Sequence, residues 1–497
     1  MGPINDEHGL EQGGVSSSDF YKIFSKEQLL SAQQARLGVA LGPLVVSGIG
    51  QADDTALLSN SIHSLNFLLH LTESFCTKYK VQLSSDKTKL LAFHMKHMQA
   101  AIEYWDYVNP IKVNNTNIAF SETAEHVGVV RSVAGNLPSL LARITAHKKA
   151  LGAVLFSGLA RNHSSNPAAS LRIHQLYANP VLFNGIGSLV LTDQETYVIS
   201  QHHKETILRL QRLYPLTPRP VIYFLAGRLP CEALVHLRQL SIFGMVSRLP
   251  STILHQHALN IYGYVTKSRG SWFEQIKTLC VKYHLPHPTT LIRTQPSKAV
   301  FKATVKKHIV DYWEQQLRYE ASLLPSLMFF KPNFMSLTRA HPLWTTAGSS
   351  PTKIVMATVQ AKFLSGRYRT QALCSHWSGV TATCKLSLTC NTAEDIPHIL
   401  KHCVALEQTR TRLTVFTRSY CTSRPVISCL VERYCEVNCS LYVQFLLDCS
   451  VLPDVIAAVQ VHGQGILTDL FNITRMWVYC LHRDRLKCLG RWRNFAK

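Results

Sequence analysis

The stretch Val45-Val46-Ser47-Gly48-Ile49-Gly50-Gln51-Ala52-Asp53-Asp54-Thr55-Ala56-Leu57-Leu58 constrains the fold more than any other. Two apolar runs flank adjacent carboxylates. Short β-rich runs around a Gly-containing break predict a hairpin with buried strands. Two acids at the tip of a buried hairpin are costly to desolvate unless a countercharge sits beside them. Mg²⁺, which prefers hard oxygen ligands, supplies one through Asp53 and Asp54. The competing reading of an Asp-Asp pair is a solvated turn. The apolar flanks weigh against it.

At 497 residues with 46% apolar content, the chain is long enough for more than one domain with sizeable cores. No apolar run reaches the roughly 18 residues of a membrane span. Met1-Gly2-Pro3-Ile4-Asn5-Asp6-Glu7 lacks the basic-then-apolar order of a signal peptide. The expectation is therefore an intracellular protein of nucleus or cytoplasm, neither secreted nor held in a membrane. A net charge of +22 suits a polyanionic partner, of which nucleic acid is the commonest. Fourteen cysteines without a secretion signal read as thiols or metal ligands rather than disulfides.

In chain order, Gln12-Gly13-Gly14 lies in a polar, Gly-rich opening before a helical pattern from Tyr21 to Leu37. After the Asp pair, Ile62, Leu65, Leu68, Leu69, Phe75 and Tyr79 recur at helical spacing, predicting a helix from Ser61 to Lys80. A polar turn carrying Lys87 then leads into a strand of Leu90, Leu91 and Phe93. Ile111 to Ile118 reads as a hairpin with an Asn-rich turn, and Glu125 to Val130 as a short strand with Gly128 at a tight approach.

Gln-Gly-Gly, then strand–Ala-Asp-Asp–strand, a helix, an Asp-Lys-Thr-Lys loop and a His-Val-Gly-Val strand follow one another within about 120 residues. This order resembles the palm of non-LTR retrotransposon reverse transcriptases. Gln51 stands where that family usually has an aromatic residue. The resemblance implies RNA-directed DNA polymerase chemistry, in which two metal ions stabilise the attacking and leaving oxygens. It makes Asp53 the main Mg²⁺ ligand, with Asp54 tuning charge, and places Lys87 near the leaving pyrophosphate. Gln12 and Gly13 would shape the template and nucleotide pocket, and Val127 and Gly128 would lie near the primer grip. The implied partners are an RNA template, a DNA primer and the remainder of the same retrotransposon protein. The family has a further metal-binding carboxylate upstream of Gln-Gly, where this chain has only Met1 to Leu10. The expectation is a chain that binds primer–template nucleic acid without polymerising alone. The alternatives are a non-catalytic basic nucleic-acid-binding protein or a zinc-stabilised interaction scaffold.

From Arg131 to Pro220 there are ten basic residues against three acids, in mostly helical patterns. The resemblance makes this region a thumb that grips duplex phosphates. Val300 to Leu324 predicts an amphipathic helix, and Pro325 to Pro351 reads as a linker or exposed loop. Further on, Cys384, Cys390, His398 and Cys403 are separated by five, seven and four residues. Three thiolates and an imidazole are a standard structural zinc set. Together with Arg367-Tyr368-Arg369-Thr370, the segment resembles the cysteine–histidine region of some retrotransposon proteins. In those, the first Cys is commonly followed by another at the position of Ser387. Either Cys390 takes that place, or the thiols are buried and idle. Leu467 to Leu489 predicts a helix whose end, Arg483 to Arg493, mixes cations with Trp492. That mixture suits either single-stranded nucleic acid or a helix C-terminus.

The expected class is α+β. A partial palm with an antiparallel sheet (1–130) precedes a helical thumb-like region (131–260) and a helical connector and linker (261–365). A small cysteine–histidine zinc module (366–410) and a basic helical C-terminal region (411–497) complete the chain.

Overall fold

The computed structural model describes residues 16–41, 43–51, 53–93, 110–156, 165–250, 255–256, 258–259, 270–387, 389–436 and 439–490. The described chain is mostly helical with small antiparallel ladders, an α+β arrangement.

Helix α1 (Ser17–Gln34) and helix α2 (Ile62–Tyr79) pack through Phe24, Phe75 and Tyr79, whose rings lie 4.8–5.1 Å apart. Ser61 caps α2 by accepting from the Ser64 amide, and Lys80 closes it with φ 55°. Between the helices, β1 (Val39–Leu41) pairs with β2 (Leu44–Val46), and β3 (Gly48–Gln51) with β4 (Asp54–Leu57). The acidic hairpin thus begins at Gly48. Val45 and Val46 belong to the preceding ladder. The expected burial is also absent at its tip, where Gly50, Gln51, Asp53, Asp54 and Thr55 are all exposed.

Two further hairpins follow. Strands β5 (Lys112–Val113) and β6 (Thr116–Asn117) are joined by Asn114 and Asn115, both at positive φ. Asn tolerates that conformation, so the Asn-rich turn is the one the two-residue loop requires. Strands β7 (Thr123–His126) and β8 (Val129–Ser132) are joined by Val127 (φ 51°) and Gly128 (φ 65°). Glu125 to Val130 is therefore a hairpin turn rather than one strand. Gly128 serves backbone conformation, since a Cβ there would meet nothing within 4 Å. Leu90 contributes only an isolated bridge to Phe120. The described strands form four separate two-stranded ladders, and no continuous sheet joins them.

The helical body begins with α3 (Leu137–Phe156), which packs on β8. Helix α4 (Asp193–Leu210) starts with a reciprocal capping box between Thr192 and Glu195. Helix α5 (Arg219–Ala226) is apolar all round, and Val221 through Ala226 are at most 1% exposed, as a fully buried helix requires. Helix α6 (Cys231–Val246) crosses α7 (Lys298–Ser322) at Gly244, where any Cβ would fall inside the Phe301 ring. The buried stripe of α7 is Phe301, Val305, Ile309, Trp313, Leu317 and Ala321, the four-residue spacing the sequence implies.

The expected linker at 325–351 is core instead. Leu327, Phe329, Phe330, Met335, Leu337, Leu343 and Trp344 are all buried there. Its prolines start short helical turns at Pro325, Pro332 and Pro342, where a missing amide proton costs nothing. Helix α8 (Pro351–Leu364) then packs on α11 (Gly465–Cys488), with α9 (Glu407–Cys421) and α10 (Cys439–Leu447) against the same helix. One contiguous apolar cluster runs from Leu171 to Leu481. Residues 366–410 and 411–497 share that core with the helices before them.

Candidate metal centre

Cys384, Cys390, His398 and Cys403 converge, each between 0 and 7% exposed, with their ligand atoms all within 4.8 Å of one another. Backbone pairing builds the site. An antiparallel bridge between Thr383 and Ala393 closes the loop, with the Cys384 amide donating to the Thr392 carbonyl at 2.9 Å. Within the loop, the Cys390 amide donates to the Ser387 carbonyl at 3.2 Å, turning both thiols to one side. Asp395 Oδ1 accepts from the His398 amide at 2.7 Å, which starts a five-residue π-helical turn, His398–His402. The Cys403 amide bonds back to the His398 carbonyl at 2.8 Å, setting the last thiol beside the imidazole.

The distances fit a small tetrahedral ion. Bonds of about 2.3 Å to sulfur and about 2.05 Å to nitrogen give tetrahedral edges of about 3.8 Å (S–S) and about 3.6 Å (S–N). Cys384 and Cys403 sulfurs are 3.9 Å apart, and Cys390 Sγ is 3.4 Å from His398 Nε2. His398 Nδ1 meets the Thr392 hydroxyl at 3.0 Å, which orients the ring with Nε2 inward. Burial pushes the Cys384 thiol up to about 12 and raises Cys403, whereas the Thr392 hydroxyl holds Cys390 below the usual thiol range. Burial also lowers the His398 imidazole below its ordinary range. A dication at the centre offsets the desolvation of the thiolates. The residues present fit zinc, and the cluster can hold a metal of that kind.

The loop is fastened from behind. Glu394 is fully buried, accepts from the Gln371 amide at 3.0 Å and pairs with Arg485 of α11. Arg485 also donates to Tyr368 Oη at 3.3 Å, and that hydroxyl lies 2.6 Å from His482 Nδ1. Arg410 of α9 donates to the Cys403 carbonyl and pairs with Glu407. Thr392, Glu394 and Arg485 were not singled out as site residues by spacing. The available signals were Asp395 three residues before His398, as an N-cap requires, and an acid beside it in an apolar setting. His402 turns away from the cluster, with Nε2 3.0 Å from Cys439 Sγ.

The remaining candidates are placed differently. Asp53 lies in the β3–β4 turn and Asp54 begins β4 opposite Gln51. Both are exposed and solvated, so the hairpin itself does not demand a cation. Among the described residues, the group able to hold a metal is the cysteine–histidine set, and Asp53 and Asp54 are not part of one. Lys87 is exposed on a turn closed by the Thr88 amide and the Ser84 carbonyl. Val127 and Gly128 form the tip of the β7–β8 hairpin, where the Gly128 carbonyl accepts from Arg143. Gln12 and Gly13 lie outside the described residues.

The basic end of α11 is not an open cationic face. Arg475 is 0% and Arg485 4% exposed, both consumed by internal contacts, and Arg483 and Lys487 pair with Asp484. Arg491, Trp492 and Arg493 lie outside the described residues. No described helix is long and apolar enough to cross a membrane. No protein-family model matches the chain, and no curated protein sequence matches it.

Proposed function

We propose that the chain is a zinc-stabilised nucleic-acid-binding protein related to the C-terminal part of non-LTR retrotransposon reverse transcriptases. It binds primer–template nucleic acid through phosphate contacts and does not polymerise by itself. The observation carrying this reading is the closed Cys₃His cluster. Four protein ligands leave no open position, so a zinc there holds shape rather than activating water. It fixes the 384–403 loop on a body whose net charge is +22.

The test is binding of a labelled primer–template duplex to the full chain over a salt series. The expected result is affinity that falls linearly in log–log form with salt, at a slope of several phosphate contacts. A flat, weak response favours the scaffold reading. In parallel, primer extension with Mg²⁺ should yield no product. Extension abolished by Asp53→Ala would overturn the non-catalytic assignment.

A further inference from the structure

A groove of about 390 Å³ runs between α6 and residues 180–187, and it shares no residue with the metal centre. Its α6 wall is Arg238, Ser241, Ile242 and Met245, a single face of that helix at three- and four-residue spacing. The facing wall is Pro180, Phe183, Asn184, Gly185 and Gly187. Close packing fixes the gap. A Cβ on Gly187 would lie 2.7 Å from Ile242 Cδ1 and 3.0 Å from the Arg238 carbonyl, so glycine is what lets this wall approach α6. The Gly187 carbonyl accepts from Trp272 Nε1 at 2.9 Å, and the Leu189 carbonyl accepts from Gln239 Nε2 of α6 at 2.8 Å. Walls tied in this way keep their shape without a ligand, which lowers the cost of binding one.

The lining is mostly apolar with a few polar groups, the composition of small-molecule sites. Arg238 is exposed, and no acid or carbonyl engages its guanidinium among the described residues. Asn184 on the facing wall is exposed as well. Ser241 spends its proton on the Leu237 carbonyl at 2.6 Å, so the Arg238 cation and the Asn184 amide are the donors left for an anion. Ile242, Pro180 and the 55% exposed Met245 supply an apolar strip, with Met adapting to the shape of what it meets. Among the described residues lining the groove, the aromatic one, Phe183, is 4% exposed, so a nucleobase finds no face to stack on. A single cation matches a single negative charge rather than a phosphate chain. From Arg238 to Met245 the helix rises about 10 Å, close to the extended length of a chain of about eight to ten carbons.

The geometry points to a binding site for a small amphipathic monoanion, an unbranched alkyl carboxylate. Its head pairs with Arg238 and the Asn184 amide, and its tail lies along Ile242, Pro180 and Met245. The site is independent of the nucleic-acid-binding reading above. The experiment is calorimetric titration of the full chain with decanoate and, separately, with decanol, which has the same tail and no charge. The variants are Arg238→Gln, Met245→Glu and the control Lys353→Gln, all at exposed positions.

The expected result is one equivalent of decanoate bound. Arg238→Gln should weaken decanoate about tenfold and leave decanol unchanged. Met245→Glu should weaken both, since it sets a carboxylate in the path of the tail, and Lys353→Gln should change neither. No binding by the wild-type chain overturns the site, as does binding that Arg238→Gln and Met245→Glu both leave intact. Equal weakening of decanoate and decanol by Arg238→Gln overturns the role of the cation. Thymidine monophosphate forms the last arm. If it binds through Arg238 and decanoate does not, the groove belongs to a nucleotide and the carboxylate assignment falls.

Discussion

Lowering the pH from 7 to 5.5 should remove a large part of the stability of the helical body. His147, His174 and His203 pack together between α3, the turn at His174 and α4, and the His147 ring nitrogens hydrogen-bond to His202 at 2.9 Å and to His174 at 3.0 Å. Burial lowers their pKa values to about 4, about 2 and about 3 respectively. His236 and His482 are lowered by burial to about 3 each. These five rings are neutral when folded and protonate near their ordinary value, 6.5, when unfolded. Their contribution is fully present above pH 6.5 and is lost as pH falls toward the folded values. Between pH 7 and 5.5 each such group costs about 1.2 kcal/mol, so five cost about 6 kcal/mol. That is comparable with a typical net stability of about 5–15 kcal/mol. The assay is urea unfolding at several pH values. One ring can be isolated. Both His203 nitrogens are buried without a hydrogen-bond partner among the described residues, and the ring stacks on Tyr223 with centres 6.1 Å apart. His203→Phe should therefore raise stability by about 1 kcal/mol at pH 7 and remove about a fifth of the acid loss. A flat pH profile, or a His203→Phe variant with the full wild-type slope, would refute the reasoning.

The purified chain should carry one equivalent of zinc, and Cys403→Ala less than about a tenth; a wild-type value that low, by elemental analysis, removes the site. With free zinc a thousandfold above its dissociation constant, chelation should cost about 4 kcal/mol, read as a lower unfolding midpoint. Glu394→Ala leaves Arg485 buried without its carboxylate and should cost about 3–5 kcal/mol in denaturant unfolding; stability unchanged within error would mean the pair is dispensable. Gly244→Ala should cost about 1–3 kcal/mol by forcing α6 away from Phe301, and a neutral result by the same assay would show that the crossing adjusts freely.

Elements whose signal is local were readable from residues alone. Ser61 and Lys80 bracket α2 because a cap and a left-handed terminus are properties of a few neighbouring residues. The stripe of α7 and the Asn114-Asn115 turn were legible for the same reason. The cysteine–histidine set was legible because metal chemistry restricts residue type and spacing together. Two readings failed where the partner was distant. Pro325 to Pro351 has the composition of a loop, yet Leu343 and Trp344 are buried because residues at the end of α4 and in α11 reach this segment from far along the chain. Trp344 Nε1 donates to Gln211 Oε1 at 3.2 Å, and Arg475 donates to the Thr346 carbonyl at 3.2 Å. The acidic hairpin forms as read, and its expected burial failed in the opposite sense. Its apolar flanks suggested burial, but Val45 and Val46 pair with β1 and leave the Asp53 turn in water.

The bond between Glu394 and Arg485 decides how the protein can be divided. A piece cut at 366–410 would hold all four candidate ligands yet leave behind the guanidinium that balances its innermost carboxylate. It would also lose Arg410 if trimmed by a single residue. The same reasoning extends further back, because buried Arg475 of α11 is bonded to Thr346 and buried Asp448 to His341, so a cassette that keeps the loop and its anchoring helix as one covalent unit must also reach back past α8 to include both partners.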